Sequence, residues 1–144
     1  MLIGEFKHTL DNKNRVALPA KFRKEIGKEA VITESQDKCL SLYPLKEWEK
    51  VAENLSKLPV GQAVNRSFTR SFLAGARNVE IDNLGRILIP DKLKQYAGLS
   101  QDVIIIGIYK RIEIWNEKNW EEYKKKTEGE SEILAEKLGE IGAY

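Results

Sequence analysis

Residues 10–23, LDNKNRVALPAKFR, occur a second time as residues 81–94, IDNLGRILIPDKLK. Both copies begin with an apolar residue and Asp-Asn and place an arginine four positions after the aspartate. Both then continue through three apolar residues and a proline into a basic segment. The shared register extends to a pair of glycines and, with one residue inserted, to a pair of tryptophans: Gly27 with Gly98, and Trp48 with Trp120. A register shared by so many unlike residue types indicates an internal duplication of a unit of about 45 residues.

Each part of the repeated motif has a local structural interpretation. Asp-Asn followed by Asn14 or Gly85 favours a tight turn, because Asp and Asn accept hydrogen bonds from nearby backbone and Asn and Gly tolerate positive φ. The three apolar residues after the arginine suit a short buried strand. The proline then ends that strand and opens a helix, and Gly27 or Gly98 ends the helix.

The rest of the chain predicts further strands and amphipathic helices. The predicted strands are residues 2–9, 15–18, 30–34, 40–43, 78–81, 86–89, 103–108 and 111–115. The predicted helices are residues 20–26, 44–58, 62–75 and 91–97, one that begins near residue 116, and a short one after residue 129. The continuous apolar run Val103–Ile106 predicts a strand buried on both faces. Trp48 lies on the apolar face of its helix and is expected to pack in the core.

The repeated order of strand, Asp-x-x-x-Arg turn, strand, helix and hairpin, with the run Leu42–Trp48, resembles the MraZ family of the AbrB-like swapped-hairpin superfamily. The resemblance covers Met1 to about Tyr123. It implies an α+β fold in which two tandem AbrB/MraZ-type swapped-hairpin repeats form one pseudo-twofold β-barrel with flanking helices. The expected organisation is a first repeat at 1–50, connecting helices at 51–75, a second repeat at 76–123 and an acidic helical tail at 124–144.

Composition narrows the class of protein. The chain has 144 residues, of which 42% are hydrophobic and 32% charged, as is ordinary for a soluble globular protein. No apolar run approaches the roughly 20 residues of a membrane helix, and the first residues do not resemble a signal peptide, so a cytoplasmic location is expected. The lone Cys39 is expected to be a packing residue, with a reactive thiol as the less favoured alternative. The single histidine excludes a His-rich metal site.

The sequence offers little support for catalysis. It contains none of the motifs of phosphate-binding loops, zinc sites or nucleophile elbows. Asp11 and Asp82 could form a carboxylate pair, but each has an arginine four residues on, and a turn-stabilising ion pair is the simpler interpretation. The expectation is a protein that is not an enzyme and has no cofactor, metal or small-molecule ligand.

Basic residues are concentrated at the motif end of the first repeat. Residues 1–30 carry seven basic and four acidic residues, whereas residues 117–140 carry five lysines and eight acidic residues. This asymmetry is compatible with a surface that faces nucleic acid. A separate arginine stripe on the second long helix can bind phosphate, contact a neighbouring subunit or stay solvated; it consists of Arg66, Arg70 and Arg77.

The two Asp-x-x-x-Arg turns are the predicted DNA-binding site. In one interpretation the aspartate holds the turn and the arginine only balances its charge. In the other, Asp11 and Asp82 orient Arg15 and Arg86 toward phosphate or guanine edges, and the resemblance favours this second interpretation, above all at Arg15. Further expected DNA contacts are Lys13, Lys21, Arg23 and Lys24. In the second turn, Leu84 occupies the position that corresponds to Lys13 and is expected to make a packing contact.

These observations and the resemblance predict a sequence-specific DNA-binding transcriptional regulator. The resemblance implies a repressor of its own division and cell-wall operon. It also implies a ring-like homo-oligomer that binds repeated sites in double-stranded DNA and is associated with the nucleoid. The alternative is a protein-interaction or antitoxin-like module that uses the same fold without DNA. Co-purification with nucleic acid that is released by salt would separate the two.

Overall fold

The computed structural model describes all 144 residues. The strands are β1 (Leu2–Thr9), β2 (Arg15–Ala17), β3 (Glu29–Glu34), β4 (Leu40–Pro44), β5 (Arg77–Glu80), β6 (Arg86–Leu88), β7 (Asp102–Tyr109) and β8 (Ile112–Asn116). The helices are α1 (Ala20–Ile26), α2 (Leu45–Ser56), α3 (Ala63–Ala74), α4 (Asp91–Ala97), α5 (Glu117–Glu128) and α6 (Ser131–Glu140). Every predicted strand and helix is present, with bounds that differ by at most two residues.

Strands of the two repeats are interleaved. β1 of the first repeat pairs with β7 of the second, and β5 of the second pairs with β3 of the first. The equivalent strands β4 and β8 pair with each other, as do β2 and β6. These pairings are related by one approximate twofold axis, so the two repeats build a single fold and neither completes it alone.

The predicted closed barrel is not formed. An open six-stranded sheet has the order β1-β7-β8-β4-β3-β5, and β2 and β6 form a separate two-stranded sheet. β2 and β6 are three residues long, because an Asp-Asn turn precedes each and a proline without an N–H follows two residues after it. Strands this short do not join β1 and β5, the edges of the large sheet, into a closed structure.

Two apolar clusters lie on opposite faces of β7. Twenty buried residues form the main core, between the large sheet, the two-stranded sheet and helices α1 and α4, and Val103 and Ile105 belong to it. Ile104 and Ile106 pack instead with Cys39 and Trp115 beneath α5. β7 is therefore buried on both faces, as its apolar run predicted. Burial raises the pKa of the Cys39 thiol to about 12, so the thiol stays protonated and acts as a packing group.

Helices α2 and α3 share a row of aromatic rings that passes from the core to the surface. The Trp48 ring centre is 5.4 Å from that of Phe72, which is 5.5 Å from that of Phe68. Phe72 is buried, but Trp48 is only half-buried. The expectation that Trp48 packs in the core is therefore confirmed only in part. Further along the same face of α3, Phe68 is 39% exposed and Val64 is 79% exposed. None of the six helices combines the length and apolar character needed to cross a bilayer.

Candidate nucleic-acid interface

The first Asp-x-x-x-Arg turn is closed by one carboxylate. Asp11 Oδ1 accepts hydrogen bonds from the backbone N–H groups of Lys13 and Arg15, each 2.9 Å long, and Oδ2 accepts one from Arg15 Nε, also at 2.9 Å. Asn14 adopts the left-handed backbone that the turn requires, with φ of 60°. Asp11 therefore fixes both the backbone of the turn and the direction of the guanidinium.

The second turn repeats this geometry. Asp82 accepts from the backbone N–H groups of Leu84 and Arg86 and from Arg86 Nε, all at 2.9 Å, and Gly85 takes the left-handed position. In each turn the backbone hydrogen bond from the arginine is the main cause that holds the carboxyl pKa below its ordinary value, and the guanidinium lowers this pKa further. Both carboxylates are therefore ionised at neutral pH.

Acid should loosen both turns. The pKa values of both carboxyl groups are lowered in the folded state. The two carboxylates therefore contribute their full stabilisation above the ordinary carboxyl pKa of about 4. It is lost as the pH falls through the lower folded values. The Asp11→Asn/Asp82→Asn variant has neither carboxylate, so its stability should fall less steeply in acid than that of the wild type. Urea unfolding midpoints at about pH 7 and about pH 3 measure this; parallel declines in the two proteins would contradict it.

The two arginines lie on one face of the two-stranded ribbon formed by β2 and β6. Arg15 is opposite Leu88, Ala17 is opposite Arg86, and Val16 and Ile87 form the middle pair. Side chains alternate between the faces of a strand. The middle pair points into the core, where both residues are 1% exposed, and the other four point outward. We call these four residues the ribbon face: Arg15, Ala17, Arg86 and Leu88. Strand geometry separates the two arginine Cα atoms by roughly 8 Å.

Each guanidinium keeps its terminal nitrogens free. Within the chain, Arg15 and Arg86 donate from the side chain only through Nε. Their side chains are 32% and 29% exposed, so solvent reaches the sites. Two free η nitrogens form the planar fork that matches phosphate oxygens or guanine O6 and N7. The aspartates thus orient the guanidinium groups without occupying the end that can bind a ligand.

One cation from each of the two short helices contacts the turn of the opposite repeat. Arg23 of α1 lies beside Gly85 in the second turn, and its Nε donates to the Leu18 carbonyl at 3.0 Å. Lys94 of α4 contacts the first turn, where its Nζ donates to Asn14 Oδ1 at 2.8 Å. Each turn therefore lies against a cation from the other half of the duplication.

The remaining predicted DNA-contacting lysines are exposed. Lys13 projects from the first turn, and Lys21 and Lys24 lie on α1. Lys21 Nζ is 5.6 Å from the centre of the Phe6 ring, and none of the three forms an ion pair within the chain. The structure thus brings Arg15, Arg86 and Arg23 together around the ribbon, whereas Lys21 and Lys24 make no hydrogen bond to either turn.

Comparison with protein families agrees with the duplicated turns. A family model described as "MraZ protein, putative antitoxin-like" matches the chain twice, at residues 1–71 and 72–139. The chain belongs to the MraZ family. It is 49% identical over 138 residues to a protein of Caldanaerobacter subterraneus subsp. tengcongensis, and the match covers 96% of each chain. It is 49% identical to a protein of Caldicellulosiruptor saccharolyticus and 44% identical to one of Clostridium tetani, each over 142 residues and 99% of each chain. All three are named Transcriptional regulator MraZ.

Two features of the duplicated MraZ unit were not singled out by the motif, the cations of α4 and the exposure of one ribbon residue. Lys92 and Lys94 are the counterparts of Lys21 and Arg23, and the spacing of 71 residues was the signal that could have found them. Leu88 was expected in a buried strand but is 58% exposed, because only one face of the ribbon meets the core. A run of three consecutive apolar residues does not indicate which of them will face the core and which will face solvent.

Two other expectations about this MraZ chain are modified by the contacts. Leu84 was expected to pack on something, yet it is 63% exposed and has no place in either apolar cluster of the chain. Of the three arginines expected to form one helical stripe, Arg66 and Arg70 lie on α3, whereas Arg77 is the first residue of β5. Arg66 donates to the Val60 carbonyl, and Arg77 donates to the carbonyls of Ala74 and Ala76. Arg66 and Arg77 therefore each have one η nitrogen bound to backbone, unlike the two ribbon arginines.

The contact between Arg23 and the second MraZ turn predicts an unequal cost for two glycine substitutions. Gly85 and Gly98 both have positive φ, but a Cβ at Gly85 would overlap the Arg23 side chain, whereas one at Gly98 would meet nothing closer than Asn119 Nδ2 at 3.8 Å. Gly85→Ala should therefore destabilise the fold by about 1 kcal/mol more than Gly98→Ala. Thermal or urea unfolding measures the difference. Adding Arg23→Ala should remove the excess, and equal costs for both glycines would show that Arg23 moves aside freely.

Proposed function

We propose that this protein is a sequence-specific DNA-binding transcriptional regulator that docks the ribbon face and its two flanking turns onto double-stranded DNA. The observation that carries the proposal is the pair of aspartate-held arginines with free η nitrogens on one exposed antiparallel ribbon. A two-stranded ribbon fits the major groove of B-DNA, and arginine is the side chain best matched to guanine there. The names of the relatives support the same function.

Different parts of the interface take different roles in this proposal. Arg15 and Arg86 contact guanine edges or phosphates through their η nitrogens, while Asp11 and Asp82 hold them in position. Lys13 neutralises phosphate beside the first turn, and the helix cations Lys21, Arg23 and Lys24 extend the positive surface. Phosphate contacts set the position and orientation of a protein on DNA, and base contacts supply specificity.

One protomer has few base-contacting residues, and the whole chain carries a net charge of only +2. We therefore infer that affinity arises from a ring-like homo-oligomer whose protomers engage repeated sites together. Once one protomer is bound, the neighbouring protomers are held at a high effective concentration near the remaining sites. The exposed apolar residues of α3, Val64 and Phe68, support a contact between subunits there. A surface repeated head-to-tail closes into a ring when the rotation between neighbouring subunits is a whole fraction of a turn.

The finer parts of the proposal rest on the family. The protein represses its own division and cell-wall operon, works in the cytoplasm at the nucleoid, and needs no cofactor, metal or catalytic group. The exchange of β1 and β5 between repeats supports a swapped-hairpin arrangement. The proposed boundaries of its parts are 1–50, 51–75, 76–123 and 124–144.

A second candidate is an antitoxin-like or other protein-binding module without DNA, which the description of the matching family favours. A gel shift with DNA from upstream of the protein's own gene separates the two. Saturable binding that unrelated DNA of equal length does not compete, and that weakens with rising salt, is the expected result. No detectable binding to this DNA, even at low salt, would favour the second candidate.

A further inference from the structure

One large apolar side chain lies on the ribbon face between the two turns. Leu88 is 58% exposed, although it is in a strand and its neighbour Ile87 is 1% exposed. It is directly opposite Arg15 in the ribbon. Leu88 belongs to neither apolar cluster, so its outward position contributes little to the fold.

The approximate twofold axis is broken at this position. The residue that corresponds to Leu88 in the first repeat, 71 positions earlier, is Ala17, which lies opposite Arg86. The ribbon therefore presents an arginine beside a leucine at one end and an arginine beside an alanine at the other. The two ends have the same guanidinium geometry and differ in the length of the apolar side chain beside the arginine.

We propose that Leu88 contacts a thymine methyl group in the major groove and gives the ribbon a preferred direction on its site. The proposal rests on the DNA-binding function proposed above. The thymine methyl is the apolar group that a base pair presents in the major groove, and apolar side chains recognise it there. Residues directly opposite in an antiparallel ribbon have Cα atoms about 5 Å apart, and successive bases rise about 3.4 Å. A base contacted by Arg15 and a thymine contacted by Leu88 therefore lie in the same or adjacent base pairs.

The direction follows from the difference between the two ends. When Arg15 and Leu88 meet a guanine with a neighbouring thymine, Arg86 and Ala17 meet the other part of the site, where the shorter side chain leaves a methyl uncovered. Turning the protein around its approximate twofold axis exchanges these ends and loses the methyl contact. A set of repeated sites that all point the same way would then be engaged by all subunits in the same orientation.

The test uses single-site duplexes cut from the footprint on DNA upstream of the protein's own gene. Each thymine in turn is replaced by deoxyuridine, which removes the methyl and keeps every hydrogen-bonding group. The wild type should lose roughly fourfold in affinity at one thymine, the amount expected for one buried methyl. Leu88→Ala should bind the unmodified duplex about fourfold more weakly and should show no further loss at that thymine.

The matched control is Leu84→Ala, which removes a leucine of similar exposure from the turn rather than from the ribbon face. This variant should keep the wild-type loss at the same thymine. The exchange variant Ala17→Leu/Leu88→Ala should stay sensitive to the same thymine but bind in the reverse orientation, because turning the protein about its approximate twofold axis brings the leucine at the other end of the ribbon onto that methyl. All three variants should keep the wild-type melting temperature and mass, because the altered side chains are at the surface.

Three results would overturn the proposal. The first is wild-type affinity that no deoxyuridine substitution changes, and the second is a loss of affinity at the thymine that persists unchanged in Leu88→Ala. The third is a change in oligomer mass in Leu88→Ala. Each would show that Leu88 has a different role. In all three the DNA-binding function itself stands, provided that Arg15→Ala abolishes the shift. No footprint at all, or normal binding by Arg15→Ala, would instead remove the proposed function.

Discussion

Replacing Arg15 with alanine should nearly abolish binding to the operator while leaving the fold and the assembly intact. A bidentate arginine–guanine contact is worth about 1–3 kcal/mol of discrimination, which corresponds to roughly 5- to 150-fold in affinity at each engaged site. Several subunits that engage several sites repeat this loss, so the whole complex should fall below detection in a gel shift. The melting temperature should change little, because the ion pair between Arg15 and Asp11 is partly exposed and such pairs contribute little to stability.

Substitutions at neighbouring positions distinguish the effect of arginine orientation on DNA binding from the effect of positive charge. Asp11→Asn leaves Arg15 in place but removes the charge that holds Nε, so binding should weaken less than in Arg15→Ala. Arg86→Ala should also do less than Arg15→Ala, since its turn has Leu84 where the first turn has Lys13. Lys13→Ala should lower the slope of log affinity against log salt by about one per engaged subunit without changing sequence preference.

Two outcomes would count against this role for the first turn. Arg15→Ala could bind the operator as tightly as the wild type, or it could lose binding only together with its cooperative unfolding transition. Either result would mean that the arginine only balances the charge of Asp11. The protein-binding alternative would then gain support.

Replacing Val64 with aspartate should break the assembly and leave the protomer folded. Val64 is 79% exposed on α3, and an acid in the first turn of a helix is favourable, so the fold should tolerate the change. In an apolar contact between subunits, however, it would bury an unpaired charge, which costs several kcal/mol. Light scattering at micromolar concentration should show a fall from a closed oligomer larger than a dimer to a smaller species.

The same variant should separate avidity from intrinsic affinity. On DNA with tandem sites the loss should be on the order of a hundred- to ten-thousandfold, whereas on a single-site duplex affinity should stay near that of the wild type. Ile133→Asp is the matched control, since Ile133 is 58% exposed in the first turn of α6, and it should keep the wild-type mass. A monomeric wild type, or dissociation by Ile133→Asp alone, would contradict the proposed interface on α3.

The turns and helices of this chain could be predicted from the sequence because their causes are local. Asp11 and Asp82 bond to groups two and four residues away, and prolines open helices α1 and α4 where the sequence placed them. The match of the two copies further implied a duplicated fold. The candidate arginines were found in the same way, since the carboxylate that orients each lies four residues before it.

The identity of the strand partners was decided only by the tertiary structure. The apolar pattern of β1 fits many partners, and its pairing with β7 depends on how both repeats bury their apolar surface together. That arrangement left the large sheet open, and β2 and β6 form a ribbon with one face outward. It also carried Arg23 and Lys94 across to the opposite turns. The sequence therefore determined each turn, while the packing of the two halves determined that both arginines and Leu88 share one exposed face.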